Sequence, residues 1–462
     1  MSAGFVGRVA AGAWVLLLAG VAGGARPARA AATLDALVNE GLAANRSLRA
    51  DRLALEREQA SVTEAAGLFL PSLAANGRIS DRTGNIFDLG RLVNPAYAAL
   101  DQLTHSTMFP TDIDLKLPTR EEATLRLTQP LVDLRLPANW RIRAGLRDVQ
   151  RAATGAATRR LAADLRMGYL DYVRATRLTQ VFDSTRVLVD EVVRVQESLL
   201  AHGMATPDEV LRARADRAEI VQRRDDAARL ADAARQAFNQ RLGRTIDAPL
   251  PLLSDDALGI AAPPALDSAL ALARAGREEL AQAQGGVRAA GGAVSLASAR
   301  YLPALAAVVD WGVQGERIRR GDGSDYRVAT LVVQWPIFDG GQREAQRHAA
   351  SADLAAARTR AADTATLVEL DVRTAWQAAQ VARLALEPAR ERLAASRRAW
   401  EMVERRRANG TATLLDVLDA RTTYTNAGLN EVMTTCEYWQ CCAELDRAAA
   451  RYPDRSSTAG GR

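Results

Sequence analysis

The side chains that could do chemistry in this 462-residue sequence are few and scattered. The three histidines, His105, His202 and His348, lie far apart, which leaves general acid–base catalysis few candidates. Cys436, Cys441 and Cys442 fall close together near the C-terminus but lack the spacing of a metal site. They read as packing residues on a helix, with a reactive thiol or an interchain bridge as the alternative. The run Gly321-Asp322-Gly323-Ser324-Asp325 offers oxygen ligands without the spacing and final glutamate of a calcium loop, and reads as a solvent-exposed turn. G-x-S-x-G, H-E-x-x-H and phosphate-cradling motifs are absent from the sequence. Neither an enzyme nor a cofactor or metal requirement is expected.

The acids that stand out are Glu209, Asp416 and Asp419. Asp416 and Asp419 are three apart, hence on one face of a helix that starts near Thr413, and Glu209 occupies the place of Asp416 in an earlier, similar segment. One reading is N-terminal helix chemistry, with Thr206 or Thr413 as cap and the acids favoured by the helix dipole. That accounts for Glu209 and Asp416 better than for Asp419.

These acids sit on unusually long helical segments. No proline interrupts Pro137 to Pro207 or Pro336 to Pro388. A continuous helix through the first would reach on the order of 100 Å at ~1.5 Å per residue, and needs a seam to pack on. Leu415, Leu418, Thr422, Thr425, Leu429, Val432, Cys436, Trp439 and Ala443 provide one, alternating in steps of three and four.

The chain also repeats itself. Leu34-Asp35-Ala36 corresponds to Leu266-Asp267-Ser268, and Leu70-Pro71-Ser72-Leu73 to Leu302-Pro303-Ala304-Leu305, at one offset of 232. Pro130-Leu131-Val132-Asp133 matches Pro336-Ile337-Phe338-Asp339 at 206, and Gly203-Met204-Ala205-Thr206 matches Gly410-Thr411-Ala412-Thr413 at 207. The change of offset places about 26 extra residues in the first copy, between Ala75 and Pro130. Leu34 to Gly67 and Leu266 to Arg300 read as helices ended by Leu-Pro. Extended hairpins follow, about 72–134 and 303–339, with a turn-rich loop from about Asp81 to Arg120 in the first. Loop-separated alternation over about ten residues is the signature of a membrane-barrel strand. Trp311, Tyr326, Trp335 and Phe338 lie where interfacial aromatics would be expected. Paired soluble hairpins are the alternative. The domain reading is therefore repeat one at 31–248, repeat two at 249–454 and a disordered tail at 455–462.

Composition narrows the class. Lys116 is the one lysine among 60 basic residues, and the +5 net charge is spread along the chain. With no clustered basic face, no nucleic-acid partner is expected. Arg8, the apolar stretch Ala13 to Ala19 and Ala28-Arg29-Ala30 read as a secretory signal peptide over residues 1–30, cleaved after Ala30. No later stretch reads as a membrane-crossing helix, so any membrane contact after export is expected through strands. No cysteine follows the apolar run, so no lipid attachment is expected at the new N-terminus.

The duplicated Leu-Pro-x-Leu strand entries, Gln334-Trp335-Pro336-Ile337-Phe338-Asp339-Gly340-Gly341, and the segment Asn409 to Ala420 resemble the TolC family of outer-membrane channel-tunnels across essentially the whole mature chain. The resemblance implies a mostly helical fold with a small β part. Each protomer would give four strands to a trimeric, twelve-stranded outer-membrane barrel, continued by a helical tunnel through the periplasm. It implies a passive exit duct in a tripartite export system, with a periplasmic adaptor, an ABC or proton-driven inner-membrane transporter and outer-membrane lipid as partners. A protein secreted by a type I system is the first expectation for the cargo, because many drug-pump members carry the lipid-anchor cysteine. A multidrug efflux duct is the alternative, and a periplasmic coiled-coil protein without a pore the second. In the family, acids at the positions of Asp416 and Asp419 ring the periplasmic entrance, so three copies would gather six carboxylates able to attract cations. The sequence departs from the family where a basic residue is expected and Ala412 stands, and where an aromatic is usual and Arg407 stands. A pairing of Arg407 with Glu209 or a nearby acid is the expectation for what holds the entrance shut.

Overall fold

The computed structural model describes residues 33–451 except 82–86, 114–115, 118–119 and 316–323. The expected signal peptide, the C-terminal tail and most of the Gly321–Asp325 turn lie outside the described residues.

The chain opens with α1 (Leu34–Ala44) and α2 (Arg46–Gly67), and β1 (Ser72–Ile79) follows the Leu-Pro stop. Beyond it lie β2 (Phe87–Asp88), α3 (Leu89–Thr104), β3 (Lys116–Leu117) and β4 (Glu121–Val132). Two long helices then form a hairpin, α4 (Arg135–Ala201) and α5 (Pro207–Leu242). The second half runs α6 (Leu266–Gly276), α7 (Glu278–Ala299), β5 (Ala304–Gly315), β6 (Asp325–Gln334), α8 (Gln342–Ala408) and α9 (Leu414–Ala448). Corresponding helices have matching lengths: 11 residues in α1 and α6, 22 in α2 and α7, and 67 in α4 and α8.

Three details differ from the sequence reading. Each helix expected before a Leu-Pro stop is broken in two, because Asn45 and Arg277 adopt extended backbone. Asn45 caps α2 by accepting from Leu48 N at 2.9 Å, and the buried Arg277 places its guanidinium in an acidic cluster. Helix α8 passes through Pro388 rather than ending near it. The first copy's outward loop contains the helix α3, capped by Asp88, whose carboxylate accepts from Arg91 N. Asn94 fastens α3 to its return segment through both backbone groups of Ile113 at 3.0 Å.

The four long strands form one antiparallel sheet in the order β1-β4-β5-β6, so the two hairpins join through β4 and β5. Residues two apart share a face, and the pairing aligns Leu73, Leu127, Val309 and Ala329 across all four strands on one of them. Leu125, Trp311, Leu331 and Val333 share that apolar face and are exposed, from 38% at Trp311 to 63% at Val333. The opposite face carries the sheet's ion pairs, beside Val308, Val328 and Val332. There Arg126 donates to Asp310 at 2.7 Å and Arg78 to Glu122 at 2.7 Å. Tyr326, the second residue of β6, also lies on this face: its ring covers Gly312, and its hydroxyl meets Thr124 Oγ1 at 3.0 Å. Any side chain at 312 would strike that ring, since a Cβ there would lie 2.5 Å from it. Trp335 and Phe338 lie past the end of β6, exposed, with the Trp335 indole donating to the Tyr301 carbonyl. Among the described residues, strands β1 and β6 each lack a partner on their outer edge.

The main core forms where α1, α4, α5 and α9 meet the linker between the halves, around Leu165, Tyr169, Val173, Phe238 and Trp439. Tyr169 accepts from Leu253 N and donates to the Pro251 carbonyl, so the linker is strapped across α4. Burial pushes its phenol up to about 12. Cys436 and Cys442 are buried in α9, and burial pushes each thiol up to about 11, whereas Cys441 is half-buried. All three are free. Thiolates are the reactive form, so iodoacetamide at pH 8 should label Cys441 first and leave Cys436 and Cys442 unmodified until the protein is denatured. Mass spectrometry of the peptides checks this; rapid native labelling at Cys436 would contradict the packing.

Candidate functional site

Both long hairpins turn in the same way at their far ends. Gly203 and Gly410 have φ of 72° and 70°, the left-handed conformation that ends a helix. Met204 N and Thr411 N reach back to the carbonyls of Leu199 and Arg406 at 2.8 Å, and the two glycine amides bond Leu200 and Arg407 carbonyls at 2.9 Å. These paired bonds satisfy carbonyls that the helix ends leave open. The next helix starts from a capping box in each case, Thr206 with Glu209 and Thr413 with Asp416. Trp400, Val192, Ala213, Leu414 and Val417 form a small core that holds the two tips together.

This local chemistry separates the three acids. Glu209 is half-buried and one carboxylate oxygen accepts from Thr206 N at 3.1 Å. Asp416 accepts from both Thr413 N and Thr413 Oγ1 at 2.8 Å, and those bonds hold its carboxyl below the usual range. Capping therefore accounts for part of what these two acids do. Asp419 stands one turn on, exposed, and makes no ion pair among the described residues. It is the acid that the helix start does not require.

Arg407 lies in the last turn of α8 with its guanidinium half-buried, and its Nη1 is enclosed without a hydrogen-bond partner. Burial pushes its pKa down, while the charge of Glu209 pulls it up. Glu209 is thus the acid that Arg407 feels, although no direct ion pair closes between them in the protomer. The adjacent Arg406 donates to the Thr411 carbonyl at 3.1 Å and bears on Asp416, a role that the sequence reading missed.

The buried stripe of α9 follows the expected positions from Thr425 through Val432, Cys436, Trp439 and Ala443. Near the tip it shifts by one residue: Leu414, Val417 and Arg421 are buried, while Leu415 is 63% exposed. The cap at Thr413 fixes the rotation of the helix and turns Leu414 and Val417 into the tip core. Arg421, which sequence reasoning also missed, bonds Asp216 of α5. Its signal was its place at i, i+3, i+7 from Leu414 and Val417, on the apolar stripe.

A four-stranded open sheet with one apolar face, continued by paired helices on the order of 100 Å long, is the fold of the TolC-like channels. Residues 269–451 match the family described as outer membrane efflux protein. The chain is 25% identical over 255 residues to the outer membrane efflux protein BepC of Brucella suis biovar 1, and the match spans about half of each, 55%. The solved structure of CusC superposes with a TM-score of 0.76 at 16% identity, covering 91% of this chain and 92% of that one. VceC from Vibrio cholerae gives 0.73 at 17% identity, covering 90% and 95%.

Proposed function

We propose that three copies of this chain close a twelve-stranded barrel in the outer membrane, continued into the periplasm by a tunnel of their helices, and that the assembly is a passive exit duct rather than an enzyme. The observation that carries this is the sheet. Its apolar face is exposed in the protomer, its opposite face is stitched by ion pairs, and among the described residues its two edges are unpaired. An open edge is untenable in lipid, where each backbone group needs a partner, and joining β6 to β1 of the next copy removes every edge. No helix among the described residues is long and apolar enough to cross a membrane. On this reading residues 1–30 are an export signal removed on secretion, and residues 31–248 and 249–454 are two copies of one unit. A periplasmic adaptor and an inner-membrane transporter complete the export path.

For the cargo we infer small compounds, supported by the description of the matched family and of BepC as efflux proteins. Deleting the gene tests this: sensitivity to toxic compounds supports it, whereas loss of one secreted protein with unchanged sensitivity assigns a type I secretion path. Trimers that shift on heating in outer-membrane fractions, together with conductance in planar bilayers, test the duct itself; monomers in the soluble periplasmic fraction would refute it.

On the same reading the tips of the hairpins form the periplasmic entrance, with Asp419, Asp416 and Glu209 facing the axis and Arg407 holding it shut against Glu209. Rings of carboxylates favour cations. Asp419→Asn should lower cation selectivity and block by divalent ions while leaving the trimer's melting unchanged. Asp416→Asn should lower both selectivity and melting, because Asp416 also caps α9. Arg407→Ser should raise single-channel conductance; unchanged conductance would remove Arg407 from the gate.

A further inference from the structure

Arg327 is out of keeping with its surroundings on the sheet. Strand pairing sets Ala75, Leu125, Trp311 and Arg327 in one row across β1, β4, β5 and β6, on the apolar face. The next row toward the helix junctions is Leu73, Leu127, Val309 and Ala329, and Leu331 and Val333 continue the face along β6. Counting outward from those junctions, Arg327 is the first charged strand residue on this face. The row beyond it is Gly77, Ala123, Val313 and Asp325. On the opposite face the arginines are paired, Arg126 with Asp310 and Arg78 with Glu122. Among the described residues Arg327 and Asp325 make no ion pair.

These two outer rows enclose a shallow cleft of about 590 Å³. Leu125, Trp311 and Val313 wall it, and Arg327 and Asp325 stand exposed at its β6 end. The Arg327 guanidinium lies over the Trp311 ring, 5.8 Å from its centroid, a cation–π approach. Trp311 is the eighth residue of β5. At ~3.3 Å per residue and the strand tilt of a membrane barrel, it stands roughly 20 Å above the helix junctions, near the outer border of an apolar band ~25 Å tall. Tryptophan is at home at that depth, where chain meets headgroup. A guanidinium there is tolerated when it reaches water or a negative partner. An apolar cleft that ends at an unpaired planar cation has the polarity of a lipid, with chain on one side and anionic head on the other. A neighbouring copy joins the sheet at its edges, so it leaves this face to the membrane. A phosphate suits the cation best, because a guanidinium binds it through two parallel N–H donors.

We propose that this cleft seats a lipid of the outer leaflet that carries phosphate on its headgroup, with Arg327 holding the phosphate and an acyl chain lying over Trp311 and Leu125. The cleft crosses all four strands of one protomer, so each copy in a barrel holds its own lipid. Asp325 borders the same end and works against the phosphate. The proposal rests on the reading of the sheet as part of a membrane barrel.

The test uses the full-length protein as assembled in neutral detergent, with a chelator present, and reads bound lipid by native mass spectrometry. The probes are diphosphorylated lipid A, the same lipid stripped of its phosphates, and inorganic phosphate. Lipid A should be retained, and the stripped lipid should bind roughly tenfold or more weakly, the scale for losing a charge-assisted hydrogen bond. Arg327→Gln should weaken lipid A by a similar factor and leave the stripped lipid unchanged, with Arg327→Lys between. Asp325→Asn should tighten lipid A. Ala123→Phe, which fills the cleft, should weaken both lipids alike. Equal binding of the two lipids to the starting protein, or lipid A binding unmoved by Arg327→Gln, overturns the site. Inorganic phosphate that raises the melting temperature as far as lipid A does assigns a free anion and overturns the lipid. If Ala123→Phe fails to assemble, the Arg327 variants decide the matter. Trimers that retain no lipid A overturn the site alone, whereas a chain that forms no trimer refutes the barrel reading and the site with it.

Discussion

Replacing Arg277 by methionine is expected to cost about 3–5 kcal/mol of stability, the range for removing one member of a buried ion pair. Arg277 is 7% exposed at the single extended residue between α6 and α7. Its guanidinium donates to Glu279 Oε2 and Asp371 Oδ2 at 2.8 Å and to the Ala448 carbonyl at 3.1 Å. One side chain thus joins the break in the first helix of the second half to α8 and to the end of α9. Methionine keeps most of the apolar stem but leaves two carboxylates facing each other with Arg447 alone to neutralise them. A lower melting temperature of the helices by circular dichroism checks this, and Arg277→Lys should fall between, since an ammonium cannot bridge two acids with a planar fork.

The same cluster sets an acid dependence. Burial pushes Asp371 and Glu279 up, but the hydrogen bonds and charges of Arg277 and Arg447 outweigh it and hold both below the usual carboxylate range. Their stabilisation is therefore complete above the pKa of the unfolded chain and is lost as pH falls through the lower folded values. In the methionine variant the depression is smaller, so less of the stability at neutral pH is lost on acidification. Wild type and variant should accordingly converge in melting temperature as the pH is lowered; a constant gap would show that Arg277 acts by packing alone.

How much of this was legible beforehand depended on whether the deciding interaction was local. The helix stops before the strands followed from Leu-Pro, and the strands from alternation, because both effects act within a few residues. The tip turns were marked by Gly203 and Gly410 and by the threonine caps, again local signals. Asp416 at the third position of its helix was readable as a capping acid for the same reason. The breaks at Asn45 and Arg277 were not, since Arg277 leaves the helix for partners on α8 and α9 far along the chain. Helix α3 was hidden by Pro95 and by the turn-forming residues around it, and depends on Asn94 binding Ile113 nineteen residues away. Pro388 bounded the proline-free stretch read from the sequence, but α8 continues through it with Ala382 and Ala389 buried on either side. Arg421 looked like one more surface arginine among many; only the rotation imposed by the Thr413 cap places it inside, against Asp216. The proposed placement of Asp419, Glu209 and Arg407 about an axis would belong to an assembly of several chains, which no periodicity within one chain encodes.

The contact that aligns the two sheet hairpins gives the other large expected effect. Helix α4 begins just after β4 and α7 ends just before β5, so the packing of α4 on α7 sets these central strands against each other. The helices meet almost backbone to backbone. A Cβ on Gly145 would lie 2.7 Å from Ala289 N and 2.9 Å from its Cα, and those on Gly285 and Gly292 would lie 3.0 Å from the amides of Val149 and Ile142. Backbone atoms cannot rotate aside as a side chain does, so a larger residue must push the helices apart. Gly145→Ala should gain about 1 kcal/mol in helix propensity, yet lose more to overpacking, which ranges from about 1–3 kcal/mol upward. Gly145→Leu should lose considerably more and disturb the β4–β5 pairing. Gly286 and Gly291 lie in α7 with open space around them, so alanine there should be neutral or stabilising by up to about 1 kcal/mol. Melting of the four variants by circular dichroism distinguishes the sites. A fall confined to position 145 assigns the effect to the close approach of α4 and α7, whereas equal behaviour at 145, 286 and 291 would reduce it to helix propensity and remove the contact's role in holding the sheet.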